Sequence, residues 1–194
     1  MGKQKYLIKI NELFDKSPVV SFDSIQRITR EKKQTNYAKL LVNNLIKNGM
    51  IRKVTKGVYT KHDETSLAVF CFKPAYLGLQ TSLSYHNLWE QETIPVILTT
   101  RKVRSGIRNV MGNNVLIRRI DKKYLFGFET VSEGRFYFPY SDVEKTLIDL
   151  VYFNEKISKE VLKEIKTNAD RKKLNNYLKS YTKIMKKRVL DLIE

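Results

Sequence analysis

The stretch from Thr35 to Tyr59 constrains this chain more than any other. Ala38, Leu41, Val42 and Leu45 recur at spacings of three and four, so they share one face of a helix and can pack on a small core. Asn36, Lys39, Asn43 and Lys47 fall largely on another face. Thr35 suits the N-cap, because its hydroxyl can satisfy a free backbone N–H. Gly49 suits the position past the C-terminus, where only glycine reaches positive φ cheaply. Ile51 and Val54 then begin a short strand, Lys56-Gly57 supplies a turn, and Val58-Tyr59-Thr60 returns. The ribbon is basic, carrying Arg52, Lys53 and Lys56.

Two further helices are expected upstream. Leu7, Ile10, Leu13 and Phe14 predict the first, Ser17-Pro18-Val19-Val20 breaks it, and Phe22, Ile25 and Ile28 predict a short second helix capped by Ser21. The linker Arg30-Glu31-Lys32-Lys33-Gln34 leads into the third. Three helices and a basic hairpin read as a winged helix-turn-helix over residues 1–62, which makes duplex DNA the first partner to consider. Residues 1–62 carry 14 Lys or Arg against 4 Asp or Glu, whereas the longer remainder carries 23 against 16. The positive excess is thus densest where the pattern points to DNA, and neutralised phosphates are the sequence-independent source of affinity.

In such a domain the start of the third helix enters the major groove. Lys33, Gln34, Thr35, Asn36, Tyr37 and Lys39 are the candidate contacts there, with Asn43 further along the same side. Asn and Gln match adenine bidentately, Lys matches guanine or phosphate, and Tyr suits a phosphate or a thymine methyl. Arg52, Lys53, Thr55 and Lys56 on the ribbon would meet the backbone or the minor groove. Taken singly, each Lys reads equally well as a solvated surface charge.

The remainder, residues 63–194, predicts an α+β domain with a small mixed sheet and a helical C-terminus. Thr65 to Phe72 and Thr81 to Trp89 suggest helices; Ile94 to Thr100, Val115 to Ile120, Tyr124 to Thr130 and Arg135 to Phe138 suggest strands, the last two joined through Ser132-Glu133-Gly134. Phe70, Phe72, Phe126, Phe128, Phe136 and Phe138 alternate as strand and core residues do. Ser141-Asp142-Val143-Glu144 has the spacing of a capping box opening the helix of Leu147, Ile148, Leu150 and Val151. Two or three Lys-rich helices follow Ser158, with Leu162, Ile165, Leu174, Tyr177, Leu178, Tyr181, Ile184, Val189 and Leu192 as their apolar stripes. Residues 155–194 hold 12 basic and 6 acidic side chains, either solvated helix faces or a second phosphate-binding surface.

Net charge is +17, part of which follows from a general Lys bias. No apolar run is long enough to span a bilayer and no signal-peptide pattern opens the chain, so a cytoplasmic protein without membrane association is expected. The single cysteine, Cys71, reads as a buried thiol. Asp142, Glu144 and Lys145 superficially match a metal-dependent nuclease site, but that site needs its Glu-x-Lys on a strand, and here the two residues are adjacent at a helix start. His62 and His86 lack metal-ligand or triad partners, His86 reading as a hydrogen-bonded core residue. With no phosphate-binding glycine loop either, no enzyme activity, cofactor or metal is expected.

The winged N-terminal part, the segment Tyr76 to Leu88 with Leu83-Ser84-Tyr85-His86, then Phe126-Gly127-Phe128-Glu129, then Tyr140 to Leu150 with Glu144-Lys145-Thr146-Leu147-Ile148-Asp149, resembles the antitoxin of the AbiE abortive-infection system. The similarity covers roughly residues 5–155. It implies a transcriptional repressor of a type IV toxin–antitoxin system acting in antiviral defence. The N-terminal domain would bind inverted repeats in its own promoter. The C-terminal domain would assist repression and counter a nucleotidyltransferase-like toxin without a tight complex. The chain is shorter than that pattern, and its tail is more basic. A second possibility from a different class stays open: a protein that binds DNA or RNA through its basic C-terminal helices, with the N-terminal domain used for assembly.

Overall fold

The computed structural model describes residues 2–29, 35–91 and 93–193, with side chains from Tyr6 onward and excepting Thr35. The chain is α+β and divides into two compact units, Met1–Cys71 with Asn109–Asn113, and Phe72–Arg108 with Asn114–Glu194. The division falls beyond residue 62 because the apolar 3-10 segment Thr65–Phe72 belongs, up to Cys71, with the first unit. Among the described residues, no helix is long and apolar enough to cross a membrane.

The first unit runs α1 (Gly2–Lys16), β1 (Val20–Ser21), α2 (Phe22–Thr29), α3 (Thr35–Lys47), β2 (Arg52–Thr55) and β3 (Val58–Thr60). Tyr6, Ile10 and Phe14 from α1, Ile25 from α2 and Leu41, Val42 and Leu45 from α3 share one core with Val20, Ile51 and Tyr59. The strand β1 is an addition to the sequence reading: two residues after Pro18 pair antiparallel with β3, giving a three-stranded sheet ordered β1-β3-β2. So short a strand has no periodicity to detect. The Ser21 hydroxyl accepts from the Ser24 N–H at 3.1 Å, the expected cap of α2.

The second unit is built on a six-stranded mixed sheet, apart from Asn109–Asn113, which group with the first unit. In chain order it adds β4 (Ala75–Leu77), α4 (Gln80–Tyr85), β5 (Val96–Thr99), β6 (Gly106–Val110), β7 (Asn113–Arg119), β8 (Phe128–Glu133), β9 (Phe136–Ser141), α5 (Val143–Tyr152), α6 (Lys159–Asn168), α7 (Arg171–Leu178) and α8 (Lys183–Ile193). The spatial order is β6-β7-β5-β4-β9-β8. Strand β4 lies at the centre, antiparallel to β5 and parallel to β9. Helix α5 is almost wholly buried, and residues from α6, α7 and α8 close the same core over it.

Several expectations change here. The predicted helix from Thr81 to Trp89 stops at Tyr85, because Asn87 takes φ 58° and Leu88 N–H turns back to Leu83 O at 2.8 Å. The strand predicted from Tyr124 starts only at Phe128, since Tyr124 closes a 3-10 turn and Gly127 bends the chain at φ 68°. Phe70 and Phe72 lie in a 3-10 segment and Phe126 precedes that bend, so only Phe128, Phe136 and Phe138 sit on strands. The cap of α5 is Asp142, not Ser141. Its carboxylate accepts the Lys145 N–H at 2.7 Å, while Ser141 is still strand and its hydroxyl donates to Ser82 Oγ at 2.9 Å. In α8 Ile184 is 75% exposed and Met185 faces inward instead.

Candidate nucleic-acid interface

Helix α3 acquires its shape from local chemistry. Ala38, Leu41, Val42 and Leu45 are all buried, which fixes its rotation. Its end is closed by a paired turn: Gly49 N–H donates to Ile46 O at 3.0 Å and Met50 N–H to Leu45 O at 2.9 Å, with Gly49 at φ 67°. The hairpin that follows is anchored on both sides. Phe22 N–H donates to Gly57 O at 2.7 Å, and the Thr60 hydroxyl donates to Pro18 O at 2.7 Å. A bulge between Lys53 and Thr55 turns Val54 into the core and leaves Arg52 and Lys53 outside.

On the outward face of α3 the structure places Asn36, Lys39, Leu40, Asn43 and Lys47, all exposed. No acidic residue occurs between Thr35 and Lys47, so the field at the start of α3 is opposed by no carboxylate of its own helix. Tyr37 is half-buried, its ring edge-on to Tyr6 at 5.9 Å, and it lies at the margin of this face rather than on it. Lys33 and Gln34 lie outside the described residues, as does the Thr35 side chain.

On the hairpin, Lys53 and Lys56 are exposed and Thr55 is half-buried. Arg52 is committed differently from the sequence reading: its guanidinium pairs with Asp63 at 2.6 Å. Both partners are more than half exposed, so the pair is worth at most about 1 kcal/mol and a phosphate can compete for the guanidinium. Lys61 is directed elsewhere, 3.5 Å from Asp15 and over the Phe14 ring.

Leu40 is the residue that the sequence reading passed over. It follows Asn36 by four positions and precedes Asn43 by three, so helical periodicity alone puts it in their row. It was passed over because an isolated apolar residue beside Leu41 and Val42 reads as core, whereas it is 58% exposed.

The C-terminal helices are less free than their charge suggests. Val161, Ile165, Leu174, Leu178, Met185, Val189 and Ile193 are core residues of the second unit. Lys173 bridges Asp142 at 3.1 Å and Glu144 at 3.2 Å, and Arg188 donates to Asn154 Oδ1 at 2.7 Å and to Val151 O. Burial opposes the charge on Lys173, yet the hydrogen bonds and charges of Asp142 and Glu144 outweigh it and raise its pKa. Lys172, Lys183, Lys186 and Lys187 remain on exposed faces.

The residues weighed as a nuclease motif are all engaged within the fold. Glu144 accepts the Asp170 N–H at 2.7 Å and pairs with Lys173. Lys145 is fully buried against Asp149, whose other oxygen accepts the Tyr76 hydroxyl at 2.6 Å. Burial pushes Lys145 down and Asp149 up, and their mutual attraction opposes both shifts. His86 bonds through Nε2 to Ser141 O at 2.8 Å, as expected, but it is half-buried rather than a core residue. Cys71 is buried and takes part in no disulfide.

No protein-family model matches the chain, and no curated protein matches it. Among solved structures, the chain is similar to the RV2827C protein from Mycobacterium tuberculosis. That likeness has a TM-score of 0.61 at 12% identity and covers 92% of this chain and 72% of the other. At that identity the likeness is one of fold alone.

Proposed function

We propose that the protein is a winged helix-turn-helix repressor that binds duplex DNA, with the outward face of α3 in the major groove and the β2–β3 hairpin on the flanking backbone. The single observation that supports this most is the acid-free exposed row Asn36, Lys39, Asn43 and Lys47, beside a hairpin presenting Lys53 and Lys56. Amides in such a row suit adenine edges, and lysines on both elements suit phosphates. The element order helix, strand, helix, helix, hairpin, with β1 closing the sheet, supports the same reading.

The resemblance to AbiE antitoxins extends the proposal: the DNA is the protein's own promoter with inverted repeats, and the second unit assists repression and counteracts a nucleotidyltransferase-like toxin. A titration of the full chain against its upstream DNA and against an unrelated duplex, at two salt concentrations, tests the first part. Replacing Asn36 and Lys39 with Ala is expected to erase the preference for the upstream duplex. Equal affinity of the parent protein for both duplexes would reject sequence-specific repression. Co-expression with a neighbouring nucleotidyltransferase-like gene tests the second part, growth rescue being the expected result. If Ala at the exposed Lys172, Lys183, Lys186 and Lys187 removes binding, while the α3 substitutions do not, the C-terminal helices carry the interaction instead.

A further inference from the structure

The outward side of α3 is polar except at Leu40 in its middle and at Ile46, 36% exposed, near its end. Asn36, Leu40, Asn43 and Lys47 form one ridge, and Leu40 is 58% exposed there. The core has no need of it, because Ala38, Leu41, Val42 and Leu45 already fill the opposite face. From Asn36 to Asn43 the helix rises roughly 10 Å, about three base-pair steps of a duplex. A row that presents an amide, an isobutyl group and an amide therefore matches the major-groove edges of a few consecutive A·T pairs. The amides meet adenine N6 and N7, and the only apolar group on that edge is the thymine C5 methyl.

We propose that Leu40 is a specificity residue that seats against a thymine methyl in the major groove, so that the preferred DNA is an A·T-containing duplex read by Asn36, Leu40 and Asn43 together. This rests on the DNA-binding reading above and sharpens it from duplex DNA in general to a chemical group on one base. Lysines 39 and 47 flank the row and supply phosphate or guanine contacts, which do not distinguish thymine from uracil.

The test uses the full chain and a duplex selected by it from a random-sequence pool. Each thymine in the selected site is replaced in turn by deoxyuridine, which removes only the methyl, and affinity is read by fluorescence anisotropy at fixed salt. One position is expected to lose about three- to fivefold with the parent protein, the worth of one buried methyl. Leu40→Ala is expected to bind the thymine duplex about that much more weakly and to be indifferent to uracil at that position. Because Leu40 is outside the core, this variant keeps its fold, as circular dichroism will show. A flat uracil scan, or a scan unchanged in Leu40→Ala, overturns the assignment while leaving DNA binding intact. A pool that yields no bound duplex overturns the DNA-binding reading with it. If Leu40→Ala weakens every duplex equally and lowers the mass measured by light scattering, Leu40 serves contact between copies of the chain, and the assignment falls.

Discussion

Replacing Asp149 with Asn is expected to destabilise the second unit severely, through a charge rather than a lost contact. Lys145 and Asp149 are both 0% exposed, one helical turn apart on α5, and the lysine ammonium lies 5.4 Å from the centre of the Tyr76 ring and 5.5 Å from that of Phe126. Asparagine keeps an acceptor for the Tyr76 hydroxyl but leaves the ammonium without its counter-charge. If the lysine answers by losing its proton, the cost at pH 7 is about 4.6 kcal/mol, from an unperturbed pKa near 10.4. If it stays charged, breaking a buried pair costs about 3–5 kcal/mol, so both routes give the same size of effect. For a chain of 194 residues this corresponds to a fall of about 10 °C or more in melting temperature.

The sign of the pH dependence follows from Lys145, whose folded pKa lies below its unfolded one. Where the lysine of the variant is neutral when folded, the unfolded state holds the extra proton, so the deficit narrows as pH rises, to about 2 kcal/mol near pH 9. Urea titrations at pH 7 and 9 read both numbers. The triple replacement Lys145→Met, Asp149→Leu, Tyr76→Phe is expected to return most of the stability, because apolar side chains of similar volume replace the pair without a desolvation cost. A loss below about 1 kcal/mol in Asp149→Asn would show that the ammonium reaches water and would refute the reasoning, whereas a full loss indifferent to pH would mark the route in which the lysine stays charged.

Gly127→Ala is expected to cost more than about 2 kcal/mol, since φ is 68° and a Cβ would stand 2.8 Å from Lys145 Cβ and 3.0 Å from Tyr177 Cε2; Gly49→Ala, with φ 67° but open space, is the milder control in the same thermal melt. Tyr177 donates to Asp142 at 2.7 Å, and its pKa is raised to about 12, first by burial and then by that carboxylate. The native state keeps this proton after the unfolded chain releases it near pH 10, so the contribution of Tyr177 is complete below about pH 10 and lost by about pH 12. Tyr177→Phe should be about 1–3 kcal/mol less stable at neutral pH and lose less on alkaline titration. Lys53→Ala together with Lys56→Ala should weaken all duplexes alike and reduce the slope of log affinity against log salt by about 2, measured by anisotropy.

Where structure follows from neighbouring residues, it was legible. The C-terminal limit of α3 comes from the apolar spacing of Ala38 to Leu45 and the glycine after it, and it holds in the structure; Thr35, expected as the cap, is already the first helical residue. Strand β4 was invisible because its three residues are buried between β5 and β9, and β9 lies far along the chain. Strand β6 was missed for the opposite reason: Ile107, Arg108 and Asn109 are exposed on an edge and carry no apolar alternation. The capping box failed by one residue, since hydrogen bonds to Ser82 and Thr146 hold Ser141 in the sheet. In the candidate interface, the exposed amides and lysines could be read from helical phase, whereas the pairing of Arg52 with Asp63 depends on how the chain after the hairpin folds back.

The Lys-rich C-terminal helices wall the core of the second unit and lock to α5 through Lys173 and Tyr177. A chain ending before Lys159 would therefore not be a trimmed but working product. Such a truncation would strip the cover from Leu147 and Ile148 and consign the remnant to proteolysis.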